Sequence, residues 1–260
     1  MKRIEDLNDK DRQLELRSNF ERDGYIFYPG FINSEEVDLI KSKIDEFIRK
    51  KVGDMPKSEV YYEDVNDLST LKQLQRLFNY DPFFFDMMFG SRFEKLASIL
   101  LNDGVQGKNI QYFNKPPKIG KPTPPHQDGY YFMLAPNEAV TMWLALEEVN
   151  EINGCVRYVK ESHKYGMRSH GRTKTLGFSQ GISDYGCPND LKNEIFFPTK
   201  EGDLLVHHSL TIHRADGNTS DRTRKAMGFI YYADKAKEDR EARAAYEEEL
   251  SKQLAMEKKI

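Results

Sequence analysis

The chain has 260 residues, 38% hydrophobic and 12% aromatic, which is enough for a substantial core and argues against wholesale disorder. A formal charge of -3 at pH 7, with a sequence pI near 6.1, offers no electrostatic pull toward nucleic acid or an anionic membrane. The first twenty residues lack the apolar core of a signal peptide, and no apolar run reaches membrane-spanning length. Cys155 and Cys187 form neither a metal-type spacing nor a disulfide framework, so free thiols and a cytoplasmic protein are expected.

In chain order, the first element is a short strand within 24–30, closed by the Pro29-Gly30 turn. Asn33-Ser34-Glu35-Glu36 is a capping signal, and Val37, Ile40, Ile44, Phe47 and Ile48 follow at helical spacing. A second amphipathic helix is expected over 91–102, with Phe93, Leu96, Ile99 and Leu100 on one face. The region 1–104 therefore reads as mostly helical.

From about Val105 the texture changes to short strand-like runs at 109–114, 139–149, 155–159, 194–197, 203–208 and 226–232. Short, evenly spaced strands without intervening helices predict a mainly β domain with flanking helices, a jelly roll over 105–233. There are no repeats and no linker, so 1–260 is expected to be a single domain. The stretch 163–191 shows no period and is expected to be a lid-like loop, its basic residues suggesting contacts from Arg168 and Arg172, with Arg157, to a small anionic or zwitterionic substrate. The charged tail over 234–260 reads as an exposed helix that could serve a homodimer.

The chemistry concentrates at Pro124-Pro125-His126-Gln127-Asp128-Gly129. On an extended chain residues i and i+2 point the same way, so His126 and Asp128 can grip one ion. A third ligand is available from the histidine-rich segment 206–213, which offers His207, His208 and His213. His207 and His208 face opposite sides of a strand, so both cannot readily serve one ion. Two histidines and a carboxylate leave positions open, as in non-haem Fe(II) oxygenases.

Here the sequence resembles the phytanoyl-CoA dioxygenase family, over most of its length. Phe20-Glu21-Arg22-Asp23-Gly24-Tyr25, His126-Gln127-Asp128, Thr141-Met142-Trp143-Leu144-Ala145-Leu146, Asn153-Gly154-Cys155, Glu161-Ser162-His163-Lys164 and the 202–224 stretch match its motifs in order. The resemblance implies a double-stranded β-helix, with Fe(II) on His126, Asp128 and His213. It also implies 2-oxoglutarate as cosubstrate with O2, held by Arg224 and lined by Trp143. Gln111 is a further candidate to hydrogen-bond the cosubstrate, and the retained carboxylate of Asp128 favours hydroxylation over halogenation. Two departures stand out: Glu161 replaces a usual Gly, and Ala215 stands where a Ser is common. The alternative is a non-catalytic or 2-oxoglutarate-independent cupin-type metal-binding protein.

Overall fold

The computed structural model describes residues 7–175 and 178–245, with 248 and 252; the side chains of 174–179 are not described. Helix α1 (Lys10–Asp23) is capped by the Asp9 carboxylate and ends at Gly24, whose φ of 83° is the left-handed conformation that favours glycine. Strand β1 (Tyr25–Tyr28) follows, then α2 (Ser34–Lys51). At its start Asn33 and Glu36 form a reciprocal capping box, and Val37, Ile40, Ile44 and Phe47 are its buried stripe. Two short strands, β2 (Val60–Tyr62) and β3 (Leu71–Leu74), precede α3 (Pro82–Met88) and α4 (Arg92–Leu101).

The β-rich part comprises β4 (Val105–Lys115), β5 (Thr123–His126), the single turn α5 (Gly129–Phe132), β6 (Leu134–Ala135), β7 (Ala139–Ala145) and β8 (Val156–Val159). Then come β9 (His170–Thr175), β10 (Phe178–Ile182), α6 (Pro188–Asn193) and β11 (Glu194–Phe197). The chain continues through β12 (Leu204–His208), β13 (His213–Ala215), β14 (Arg224–Ala233) and β15 (Lys237–Glu238). A seven-stranded sheet runs β1-β12-β7-β14-β4-β3-β2, and a four-stranded sheet runs β11-β8-β13-β5. These are the two sheets of the expected jelly roll.

Strand β7, inside the large sheet, is buried along its whole length on both faces, which explains why it is apolar apart from Thr141. Val140, Met142 and Leu144 join the large core beneath the helices, with Val206, Met227 and Phe229 from the neighbouring strands. The alternate residues Trp143, Ala145, Leu205 and Ala226 pack in a second core with Val156 and Tyr158 of the small sheet. Period-two alternation thus decides which side chains enter the space between the sheets.

Three expectations need correction. The region 1–104 is not helical throughout: β2 and β3 extend the large sheet from the edge of β4, but they are only three and four residues long and lack alternation. The stretch 163–191 is not a structureless loop; it contains the β9–β10 hairpin and α6. The tail is not helical from 234: Lys237–Glu238 form β15, paired with β6, and the helix begins at 240; beyond 245 the tail lies outside the described residues except 248 and 252.

Candidate active site

His126 ends β5 and His213 begins β13, and the two are direct cross-strand partners. Asp128 lies two residues on, at the entry to α5. The Asp128 Oδ1 atom is 3.4 Å from His126 Nε2 and 3.6 Å from His213 Nε2, and one donor atom from each residue lies within 4.8 Å of the others. An octahedral ion with bonds of about 2.1 Å places adjacent donors about 3 Å apart, so a small contraction would close this set around a metal. Both rings are oriented alike: His126 Nδ1 is 2.8 Å from the Pro124 carbonyl, and His213 Nδ1 is 3.0 Å from the Thr211 carbonyl. Each Nδ1–H donates to a backbone oxygen, leaving Nε2 with its lone pair toward the metal position. Burial pushes the His213 imidazole well below its ordinary value, which keeps it neutral and able to ligate.

A second layer fixes the carboxylate. The Thr141 hydroxyl donates to Asp128 Oδ2, and His207 Nε2 lies 3.1 Å from the same oxygen. A carboxylate only accepts, so His207 carries its proton on Nε2 and accepts at Nδ1 from the Tyr158 hydroxyl, 3.0 Å away. Burial raises the Tyr158 phenol well above its ordinary value, so it stays a donor. Oδ2 is thereby occupied while Oδ1 faces the histidines. His208, on the opposite strand face, meets Glu138 at 3.8 Å instead. Gln127, fully buried, staples the metal strand to its surroundings: its amide donates to the Gly166 and Leu210 carbonyls, and its oxygen accepts from the Arg168 backbone N–H.

The triad opens into a cavity of about 540 Å³. Arg224, Trp143 and Gln111 line it, as does Ala215, which has no hydroxyl to offer. Arg224 is 4% exposed; its guanidinium lies 5.2 Å from the centre of the Trp143 ring, and its Nε has no hydrogen-bond partner. Burial lowers its pKa to about 10, which still leaves it cationic at neutral pH. A buried guanidinium with an orphaned N–H is a site short of an acceptor, and a carboxylate fits that deficit. The Gln111 oxygen accepts from Gln73 Nε2 at 2.7 Å.

The arginines expected to reach substrate do not line this cavity. Arg157 stands between Val156 and Tyr158 on β8, so alternation turns it to the outer face, where it meets Asp216 at 2.8 Å and Glu151 at 3.1 Å. Arg168 is taken up by the buried Asp190 (2.7 Å) and by Asp184 (2.8 Å), and Arg172 is exposed on β9. The outer cavity wall takes its cations from elsewhere: Arg76 after β3, Lys108 on β4, and Arg243 from the C-terminal segment. Arg243 reaches it because its guanidinium donates to the Tyr131 carbonyl at 3.0 Å. Sequence reasoning passed over Thr141 and Tyr158, although the alternation of β7 and β8 around Trp143 and Val156 points both inward.

A jelly roll carrying two histidines and one carboxylate between its sheets, with a buried arginine behind them, defines the non-haem Fe(II)- and 2-oxoglutarate-dependent dioxygenases. The family model for phytanoyl-CoA dioxygenase (PhyH) matches residues 20–226, and the chain belongs to that family. It is 26% identical to a phytanoyl-CoA dioxygenase domain-containing protein 1 homolog of Caenorhabditis briggsae, over 82% of this chain and 88% of that protein. It is 27% identical to phytanoyl-CoA dioxygenase 1 of Oryza sativa subsp. japonica, over 84% and 87%. Among solved structures, the epimerase SnoN in complex with Fe3+, alpha ketoglutarate and nogalamycin RO superposes with a TM-score of 0.72 at 21% identity, covering 88% of this chain and 86% of that one. EvdO2 from Micromonospora carbonacea var. aurantiaca, complexed with 2-oxoglutarate, gives 0.70 at 22% identity, covering 86% and 91%.

Proposed function

We propose that the protein hydroxylates an unactivated C–H bond of a small anionic or zwitterionic molecule, with His126, Asp128 and His213 holding Fe(II) and Arg224 holding the distal carboxylate of 2-oxoglutarate. Iron, 2-oxoglutarate and O2 supply the oxidation, releasing succinate and CO2. The chain's own residues do the rest. His126 and His213 present Nε2 atoms, Asp128 presents one oxygen while Thr141 and His207 occupy the other, and the Trp143 ring lies 5.2 Å from the buried Arg224 guanidinium. Three ligands on one side leave coordination room for a bidentate 2-oxo acid and O2. Asp128 occupies the position a halide would need, which favours hydroxylation.

The observation that carries the reading is the pairing of a convergent His/Asp/His set with a buried Arg224 that has an unsatisfied N–H. An anionic substrate is supported by Arg76, Lys108 and Arg243 on the cavity wall, opposed there by Glu238. The test is an anaerobic titration of the apoprotein with Fe(II) and 2-oxoglutarate, followed by the visible charge-transfer band. The band is expected in the parent and lost in His213→Ala, with much more 2-oxoglutarate required in Arg224→Ala. Succinate release then screens small carboxylates and phosphates as substrates. Bound iron without a band would turn the reading to a cupin-type metal protein.

A further inference from the structure

The mouth of the cavity carries a charge that a purely anionic ligand does not account for. Among the described residues lining the cavity, Glu238 is the one carboxylate besides Asp128, and it stands 3.4 Å from Arg243. Both belong to the C-terminal segment, beyond residue 226 where the match to the family model ends. Arg243 is fixed from three sides: it donates to the Tyr131 carbonyl at 3.0 Å, pairs with Glu238, and lies within hydrogen-bonding reach of the Tyr232 hydroxyl. Tyr131 in turn meets the His126 ring edge-on, with centroids 6.0 Å apart, so one residue separates this guanidinium from a candidate metal ligand. Glu238 is held by the pairing of β15 with β6. The two side chains are 29% and 37% exposed, arginine and glutamate respectively, so both are anchored and still reachable.

Lys108 stands over the Tyr232 ring, with Nζ 5.1 Å from its centre. It makes no ion pair among the described residues and donates to the Gln106 side-chain oxygen at 3.0 Å. Arg76, the other cation of this wall, already has Glu59 at 3.1 Å. The sheet register sets the depth of this charged rim. Ile230 is the cross-strand partner of Thr141, whose hydroxyl holds Asp128, and Tyr232 follows two residues further along β14 on the same face. Two residues of strand span about 7 Å, roughly the length of a chain of four or five carbons. Phe132, Ile230 and Tyr232 belong to one apolar cluster along that interval.

We infer that the primary substrate is an α-amino acid with an aliphatic side chain of about this length, its carboxylate taken by Arg243 and Lys108 and its ammonium by Glu238. The inference rests on the reading of this cavity as a 2-oxoglutarate oxygenase site. Such a zwitterion exchanges the Arg243–Glu238 contact for one contact to each partner and leaves neither charge uncompensated. A simple anion would face Glu238, and a simple amine would face Arg243 and Lys108, so the rim selects against both. With its head at the rim, the far end of the side chain lies in the row of Thr141, beside the metal position.

The test uses the whole protein loaded with Mn(II) and 2-oxoglutarate under argon, so that no turnover occurs. The probes are L-norleucine, hexanoate and hexylamine, which share one carbon chain and differ in the charges of the head. Their affinities are read from the Mn(II)-enhanced relaxation of the terminal methyl protons, which also reports how near that end comes to the metal. L-Norleucine should bind about five- to tenfold tighter than hexanoate, the range for one charged contact partly open to water, and hexylamine should bind weakest. Glu238→Gln should bring L-norleucine down to the level of hexanoate and leave hexanoate unchanged or tighter. Arg243→Gln should weaken both, and neither substitution should change the affinity for 2-oxoglutarate. Arg243→Lys, which keeps the charge, should retain most of the preference and repeats the comparison should the glutamine variant not fold. A merely structural ion pair would, when broken, weaken all the probes alike without changing their order. That outcome, or a parent that binds hexanoate as tightly as L-norleucine, would overturn the inference. If the parent takes up Mn(II) but not 2-oxoglutarate, the reading of the cavity fails and the inference falls with it, a result seen calorimetrically before any probe is added.

Discussion

His207 Nε2 stands 3.1 Å from Asp128 Oδ2, while Oδ1 is the oxygen that meets His126 and His213, and the His207 and His213 rings lie 4.1 Å apart. The imidazole is itself held by Tyr158, so a phenol on the small sheet positions a carboxylate through a histidine on the large one. Outer partners of this kind set the orientation of a metal ligand as much as the ligand's own backbone does.

Replacing His207 with Phe should therefore weaken metal binding about 10- to 100-fold without abolishing it. His207→Gln, which keeps an N–H donor, should recover part of the loss. Competition titration with Mn(II) reads both, and equal affinities in parent and phenylalanine variant would mean that Thr141 alone suffices to hold Asp128.

Arg168→Ala should act on stability. Its guanidinium is the partner of Asp190, whose side chain is 3% exposed, and removing it leaves that carboxylate buried and unpaired. A loss of about 1–3 kcal/mol is expected, together with faster proteolysis between 163 and 191. Unchanged melting with lost turnover of an identified substrate would instead restore Arg168 as a substrate contact.

Glu161 adopts φ 65°, in the left-handed region where a side chain is strained. Glu161→Gly should relieve that strain at the cost of a more flexible unfolded chain, for a net gain of about 0.5–1 kcal/mol. Urea denaturation at constant pH measures it. A loss would show that the Glu161–Lys164 contact at 3.6 Å outweighs the backbone term.

Burial lowers the pKa of both His163 and His170. Below an unfolded value near 6.5 the unfolded chain then binds more protons than the native one, so stability falls as pH drops through that value toward the lowered native pKa values. The apoprotein's melting temperature should accordingly decline from pH 7 to pH 5, and His163→Leu should flatten part of the decline. A melting temperature that rises over that range would reverse the sign.

Much of the site could be read directly from the chain. His126 and Asp128 follow from i, i+2 geometry on a strand, and Arg224 from its motif; the two helices at 34–51 and 92–101 follow from caps and apolar spacing. What escaped depended on contacts distant in sequence. Which face of β8 turns inward is settled by its pairing with β13, which sets Tyr158 opposite His213 and sends Arg157 outward. Arg243 reaches the cavity because β15 pairs with β6, a contact that the charged tail, read alone as solvated, does not announce.

The last long strand among the described residues, β14, lies near the middle of the large sheet, between β7 and β4. The sheet is thus completed from within, and Arg224 arrives with the strand that completes it. The candidate metal ligands can be close together in an unfinished chain, but Arg224, the proposed anchor of the cosubstrate, cannot be in place until the sheet has closed. Pairing across more than a hundred residues makes that closure a slow event in folding. A ligand gripping Arg224 should favour the fully assembled state over any partial one, making 2-oxoglutarate a folding ligand as well as a reactant.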